Sequence, residues 1–163
     1  VEKRQLLIVA LPVSNIRPNV VQVQLPGVRS NDALEVKFSL TRIIKAMNLS
    51  ADEVYISYAL KCRPADNAQP AAADVRTCCR YVLQEIDIVK PHIICTLGDL
   101  AASALLGSKV PWHELRGRFQ NYNETPVMPT FSPEYLLANP SAKRETWDDI
   151  KLILNALRKM SLT

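Results

Sequence analysis

Ile93-Ile94-Cys95-Thr96-Leu97-Gly98 is an apolar, β-prone run that ends on a glycine and is followed, after Asp99, by Leu100-Ala101-Ala102-Ser103-Ala104-Leu105-Leu106. A run with no polar alternation fits a strand buried on both faces, as in a parallel sheet. The Ala/Leu-rich stretch behind it predicts a helix, and Gly107 stands where a left-handed C-cap is expected. Asp99 is placed to cap that helix. Working outward, Leu6 to Leu11 is a second continuous apolar run, stopped by Pro12. Val54 to Leu60 is rich in β-branched and aromatic residues and predicts another strand. Val127 to Thr130, marked by Pro126 and Pro129, predicts a fourth.

Helical spacing of apolar residues covers three further stretches. These are Leu34 to Met47, Ala71 to Ile88 (inner side Val75, Cys78, Tyr81, Val82, Ile86 and Ile88), and Glu145 to Met160 (Trp147, Ile150, Ile153, Leu154 and Leu157 on one face). Residues 12 to 33 and 64 to 70 read as loop, the first with a short extended segment at Val20 to Leu25, and Pro111-Trp112-His113 as a third loop. Strands alternating with helices predict an α/β fold with a parallel sheet covered on both sides. Ligands of such sheets sit beyond the carboxyl ends of the strands, which gathers Pro12 to Asn15, Tyr58 to Arg63, Gly98 and Ser132-Pro133 around one cleft. No internal repeat or low-complexity tract interrupts the pattern.

The 163 residues are expected to form a single domain, 1–163, with 48% hydrophobic and 22% charged residues. A net charge of +4 permits DNA as a partner without arguing for it. Two of the four cysteines are adjacent, Cys78 and Cys79, which is unlike a secreted disulfide framework, so a cytoplasmic location is expected. No stretch has the roughly 18 apolar residues of a membrane helix, and no signal peptide is visible. A chain that begins at Val1 fits a processed or excised piece.

The remaining signal lies in a series of motifs: Val54-Tyr55-Ile56-Ser57-Tyr58-Ala59-Leu60-Lys61-Cys62-Arg63-Pro64, then Cys78, Pro91-His92-Ile93-Ile94-Cys95-Thr96-Leu97-Gly98, Leu115-Arg116-Gly117-Arg118, Pro129-Thr130-Phe131-Ser132-Pro133 and Leu136-Leu137-Ala138-Asn139-Pro140. In that order the series resembles the uracil-DNA glycosylase superfamily, in particular its iron–sulfur (family 4) type. The resemblance is strong from residue 54 onward and weak before it. It implies a three-layer α/β/α sandwich with a four-stranded parallel sheet. It also implies an enzyme that flips a damaged base out of DNA and hydrolyses its N-glycosidic bond.

The positions that the resemblance makes catalytic are substituted. A Gly-Glu-Ala-Pro-Gly segment follows the first strand in that branch, and here the stretch is Val9-Ala10-Leu11-Pro12-Val13, with only Pro12 matching. Ala10 has no oxygen to polarise water. Asn15 can position a water but cannot act as a base. A Pro-Phe that stacks on the flipped base falls near Asn31-Asp32, and no aromatic residue lies between Val1 and Lys37. Base–aromatic stacking is worth about 1–3 kcal/mol. The Asn that reads the uracil edge is Tyr58, which lacks an amide's paired donor and acceptor. The His of a final His-Pro is Ser132, before Pro133, a shorter donor that is never cationic.

Two of the four expected cluster ligands are matched, by Cys62 and Cys78; the other two precede them in the family and have no counterpart here. A four-thiolate cluster therefore cannot be built from this chain alone, and no cofactor is expected unless upstream cysteines are missing from it. Cys79 faces another way on the helix from Cys78, and Cys95 reads as a small core residue.

For nucleic acid the candidates are Arg63, Arg116, Ser132, Pro133, Leu137, Lys143 and Arg144, the cations as phosphate contacts and Leu137 as an apolar wedge. Arg116, Arg118, Lys143 and Arg144 are the foremost phosphate candidates and read equally well as solvated surface, and Leu136-Leu137 as a short helix packed on the core. His92 and His113 read as structural and surface residues. The expectation is a uracil-DNA-glycosylase-like domain whose uracil-excision site has degenerated. It would keep nucleic-acid or protein binding, as a monomer without a membrane segment. The alternatives are an active glycosylase for uracil or another deaminated base, with Ser132 and Asn15 assisting, and a structural subunit whose cleft face holds a protein partner.

Overall fold

The computed structural model describes residues 6–10, 41–49, 54–59, 71–107 and 109–161. Strand β1 is Leu6–Ala10, β2 Val54–Tyr58 and β3 Ile93–Leu97. Helix α1 includes residues 41–46, and Asn48 in the left-handed region (φ 54°) ends it. Helix α2 is Ala72–Val89, α3 Asp99–Leu106 and α4 the single turn Trp112–Leu115. A hairpin of β4 (Gln120–Tyr122) and β5 (Thr125–Thr130) follows, then α5 (Pro133–Ala138), a 3-10 turn (Pro140–Ala142) and α6 (Lys143–Ser161).

The sheet order is β2-β1-β3-β5-β4. The first four strands are parallel, as expected, and β4 adds an antiparallel edge. The sequence analysis did not foresee β4. Gln120-Asn121-Tyr122 carries no apolar alternation, and its strand state comes from pairing with β5 across a two-residue turn at Asn123 (φ 51°). That pairing also lengthens β5 beyond the expected Val127–Thr130.

All five residues of β3 are buried, as its unbroken apolar run requires of a central strand. Ile93, Cys95 and Leu97 pack with Met128 of β5, Ile43 and Met47 of the α1 segment, and Ile150, Ile153 and Leu157 of α6. On the other face Ile94 and Val127 meet Val82 and Ile86 of α2 and Ala101 and Leu105 of α3. The two clusters are the two interfaces of a three-layer α/β/α sandwich. Each fully buried Ile or Leu contributes on the order of 1.5–3 kcal/mol.

Two inner faces are rotated from the expected ones. On α6 the buried side is Thr146, Asp149, Ile150, Ile153 and Leu157, while Trp147 is 42% exposed. Apolarity misassigned it, because the buried Asp149 is polar but has partners inside. On α2, Tyr81 and Ile88 (79% exposed) lie outside and Cys79 lies inside, with its Sγ donating to the Ala104 carbonyl oxygen at 2.8 Å. Cys78 packs with Val75, Leu100 and Ala104, so a helix held between sheet and α3 buries neighbouring positions. Lys90 (φ 47°) closes α2, its N–H donating to the Ile86 carbonyl at 2.8 Å. Gly107 (φ 85°) closes α3 as expected, but Gly98, not Asp99, is its N-cap. Asp99 lies in the first turn, where the dipole favours an acid, and accepts from Ser103 Oγ at 3.1 Å. Trp112 and His113, expected in a loop, belong to the α4 turn. Among the described residues no helix is long and apolar enough to cross a membrane.

Candidate functional site

Strand register decides what meets at the carboxyl edge. Ala10 pairs with Tyr58, Val9 with Thr96, and Leu97 with Thr130, so Ala10, Tyr58, Leu97 and Thr130 end their strands side by side. The Gly98 N–H donates to the Thr130 carbonyl at 2.8 Å and ties β3 to β5. Gly98 has φ 95°, and a Cβ there would lie 3.2 Å from Ser132 Cβ. Its glycine is therefore needed twice, for the backbone angle and for the approach of Ser132. Of the residues that the sequence gathers there, Tyr58, Gly98 and Ser132 stand along this edge, with Ala10 beside Tyr58. For Ala10 and Tyr58 the backbone alone is described, and Pro12, Asn15, Asn31, Asp32, Cys62 and Arg63 lie outside the described residues.

Ser132 is the N-cap of α5, its Oγ accepting from the Tyr135 N–H at 3.2 Å. Pro133 is buried at the first helical position, where its missing N–H has no cost. The cap uses a lone pair, and the hydroxyl hydrogen remains available to donate. Leu136 is buried and Leu137 half-buried on this short helix.

Behind Ser132 lies a polar cluster that sequence reasoning did not join. Asp149 Oδ2 accepts from Thr130 Oγ1 at 2.6 Å and from Arg116 Nη1 at 3.1 Å, and Arg116 Nη2 donates to Glu145 Oε2 at 2.6 Å. Burial holds the Asp149 carboxyl above its ordinary value, against the opposing Thr130 bond and Arg116 charge. This gives Leu115-Arg116-Gly117-Arg118 a physical role. Leu115 is buried, Arg116 reaches Asp149, and Gly117 (φ 77°) donates its N–H to the Pro129 carbonyl at 3.3 Å. The Arg116 guanidinium also stands 4.6 Å from the Phe131 ring centroid. Phe131 stacks on Tyr135 (centroids 4.6 Å, planes 11° apart) and meets Trp112 edge-on at 6.2 Å. Of the other expected phosphate contacts, Lys143 and Arg144 are exposed at the start of α6, as is Arg118 before β4.

On the α2 side of the sheet, Ser57 Oγ donates to Glu85, and Thr96 Oγ1 is buried without a hydrogen-bond partner. Among the described residues no three His, Cys, Asp or Glu converge to hold a metal. Cys78 lies among apolar side chains and Cys79 reaches a backbone carbonyl. Burial, with the Asp149 charge, pushes the Cys95 thiol up to about 12.

The geometry agrees with the comparison of the chain with known families. Residues 24–151 match the model of the uracil DNA glycosylase superfamily. The chain belongs to the uracil DNA glycosylase superfamily. Type-4 uracil-DNA glycosylases of Saccharolobus solfataricus and Thermotoga maritima are each 32% identical to it, over 76% and 74% of this chain and 62% and 65% of their own lengths. A type-4 uracil-DNA glycosylase of Archaeoglobus fulgidus is 25% identical over 70% of this chain and 61% of its own. The chain thus spans about three fifths of the length of these relatives. Strands β2, β3 and β5 lie within the matched residues.

Proposed function

We propose that this superfamily member has a degenerate uracil-excision site and retains binding of DNA or of a partner. The observation that carries the reading is the chemistry along one edge of the sheet. Ala10 offers a methyl group at the end of β1, and Ser132 offers a single hydroxyl that already caps α5. Base excision needs water polarised against a developing sugar cation and a donor for the departing base. The alanine supplies none of the first. The serine supplies one neutral hydrogen bond for the second. The nucleic-acid face of the reading consists of Ser132, Pro133, Leu137 and the exposed Lys143 and Arg144. Arg63 is proposed alongside them, and Arg116 is the member whose guanidinium is already shared between two carboxylates. The reading needs no cofactor from this chain. Cys62 and Cys78 would join a cluster only with thiolates from outside the sequence.

The decisive assay uses single- and double-stranded oligonucleotides carrying uracil, hypoxanthine or xanthine, scored for alkali-labile breaks. The proposal expects none above background. A second reading is supported by the names of the relatives, which are type-4 uracil-DNA glycosylases. On that reading the domain excises uracil or another deaminated base, with Ser132 and Asn15 assisting. Breaks that vanish in Ser132→Ala but persist in a distant surface variant would establish it. A DNA titration across salt concentrations separates nucleic acid from protein partners, since phosphate contacts make affinity fall steeply with salt. Absence of binding at low salt would turn the reading toward a protein partner.

A further inference from the structure

The aromatic cluster next to Ser132 is built in an unusual way for a core element. Tyr135 is 45% exposed, yet its ring lies nearly parallel to Phe131, and Phe131 is braced edge-on by Trp112 and carries the Arg116 guanidinium. The position of Tyr135 is set by its own backbone, because its N–H donates to Ser132 Oγ at the cleft corner. Rings held in this way lose little freedom when a further planar group stacks on them.

We propose that Tyr135, backed by Phe131, is a stacking platform for an unpaired nucleobase of single-stranded nucleic acid. The inference rests on the nucleic-acid reading of the same site and adds to it the kind of strand bound. Two features favour this occupant over an apolar peptide. An exposed tyrosine ring offers a π face at which any base can stack without sequence preference. Of the three acids Glu145, Asp149 and Asp148, two charges are offset, because Arg116 is shared between the first two and Lys151 pairs with the third. The exposed Arg118, Lys143 and Arg144 remain for the strand's phosphates. They belong to segments tied to this corner: Gly117 bonds to Pro129, and α6 starts directly after the 3-10 turn, which packs on α5. Glu134, one residue before Tyr135, is a further opposing charge.

The test measures equilibrium binding of a fluorescent thymidine homopolymer and an abasic homopolymer of equal length at low salt. Loss of one stacked base predicts that Tyr135→Ala binds the thymidine strand about 5- to 150-fold more weakly, while Tyr135→Phe stays within about twofold of the parent. The abasic strand should bind the parent about as weakly as the thymidine strand binds Tyr135→Ala, and Glu134→Gln should tighten both. Tight binding that Tyr135→Ala leaves unchanged would overturn the platform and leave the nucleic-acid reading intact. No binding of either strand would overturn both. Circular dichroism of each variant confirms folding, which the exposure of Tyr135 favours.

Discussion

Replacing Arg116 with methionine should destabilise the domain by an amount that depends on pH in a defined direction. The side chain of Asp149 is 4% exposed and that of Arg116 21%. Removing one partner of a buried ion pair costs about 3–5 kcal/mol, because the other charge is left without compensation. Two features pull the figure down. Asp149 keeps its 2.6 Å bond from Thr130, and the opening left by a partly exposed arginine admits water. The ion-pair loss is then about 2–3 kcal/mol. The lost cation over Phe131 adds about 0.5–1 kcal/mol. A total of about 3 kcal/mol corresponds to roughly 6–12 °C in Tm for a chain of this size. The pH dependence follows from the Asp149 carboxyl, which burial holds above its ordinary value while Arg116 opposes the rise. A raised acid binds its proton more tightly in the folded state, so its stabilisation is full below the unfolded value and fades as pH rises through the folded one. Without Arg116 the folded value climbs further. The deficit should therefore be largest near neutral pH and shrink on acidification. Urea denaturation of Arg116→Met at several pH values, with the m-value checked, measures it. Pairing it with Asp149→Asn should recover part of the loss, since no buried charge then remains. A variant within about 0.5 kcal/mol of the parent at neutral pH, or a deficit that grows in acid, would refute the reasoning.

Other outcomes follow from single contacts. Gly98→Ala should cost about 1–3 kcal/mol, since φ is 95° and the new Cβ would meet Ser132 Cβ at 3.2 Å; thermal unfolding reads it. Ser132→Ala should lose about 1 kcal/mol of helix capping, whereas Ser132→Asp, which keeps an acceptor, should lose less; this separates a stability effect from any loss of activity. Cys95, with its thiol pushed up to about 12, should resist alkylation at pH 8, where the thiolate fraction is about one in ten thousand, and react only as fast as the protein unfolds; mass spectrometry after a timed iodoacetamide pulse tests this. Trp147→Ala should change stability by less than about 1 kcal/mol, well below the loss expected of a core tryptophan, because the ring is 42% exposed.

The parallel strands were legible because burial on both faces leaves a simple imprint. Leu6 to Ala10 and Ile93 to Leu97 have no polar alternation, and a central parallel strand has no solvent side. Gly107 announced a helix end because few residues other than glycine adopt a positive φ there. Gly98 was legible as the end of a strand, but its contact with Ser132, 34 positions away, was not. The short strand β4 also escaped, since its three polar residues are strand only by virtue of the hairpin.

By itself the sequence determined the four parallel strands and the main helices between them. These are local properties: hydrophobic period, backbone freedom and side-chain composition. The tertiary structure alone decided that Asp149 is an inner residue of α6 and Trp147 an outer one, and that Arg116 is shared between two carboxylates. It also stacked Tyr135 on Phe131 beside the cleft. The cause is the same in each case. A polar or aromatic side chain has no fixed preference for inside or outside until its partners arrive, and those partners come from other segments of the chain.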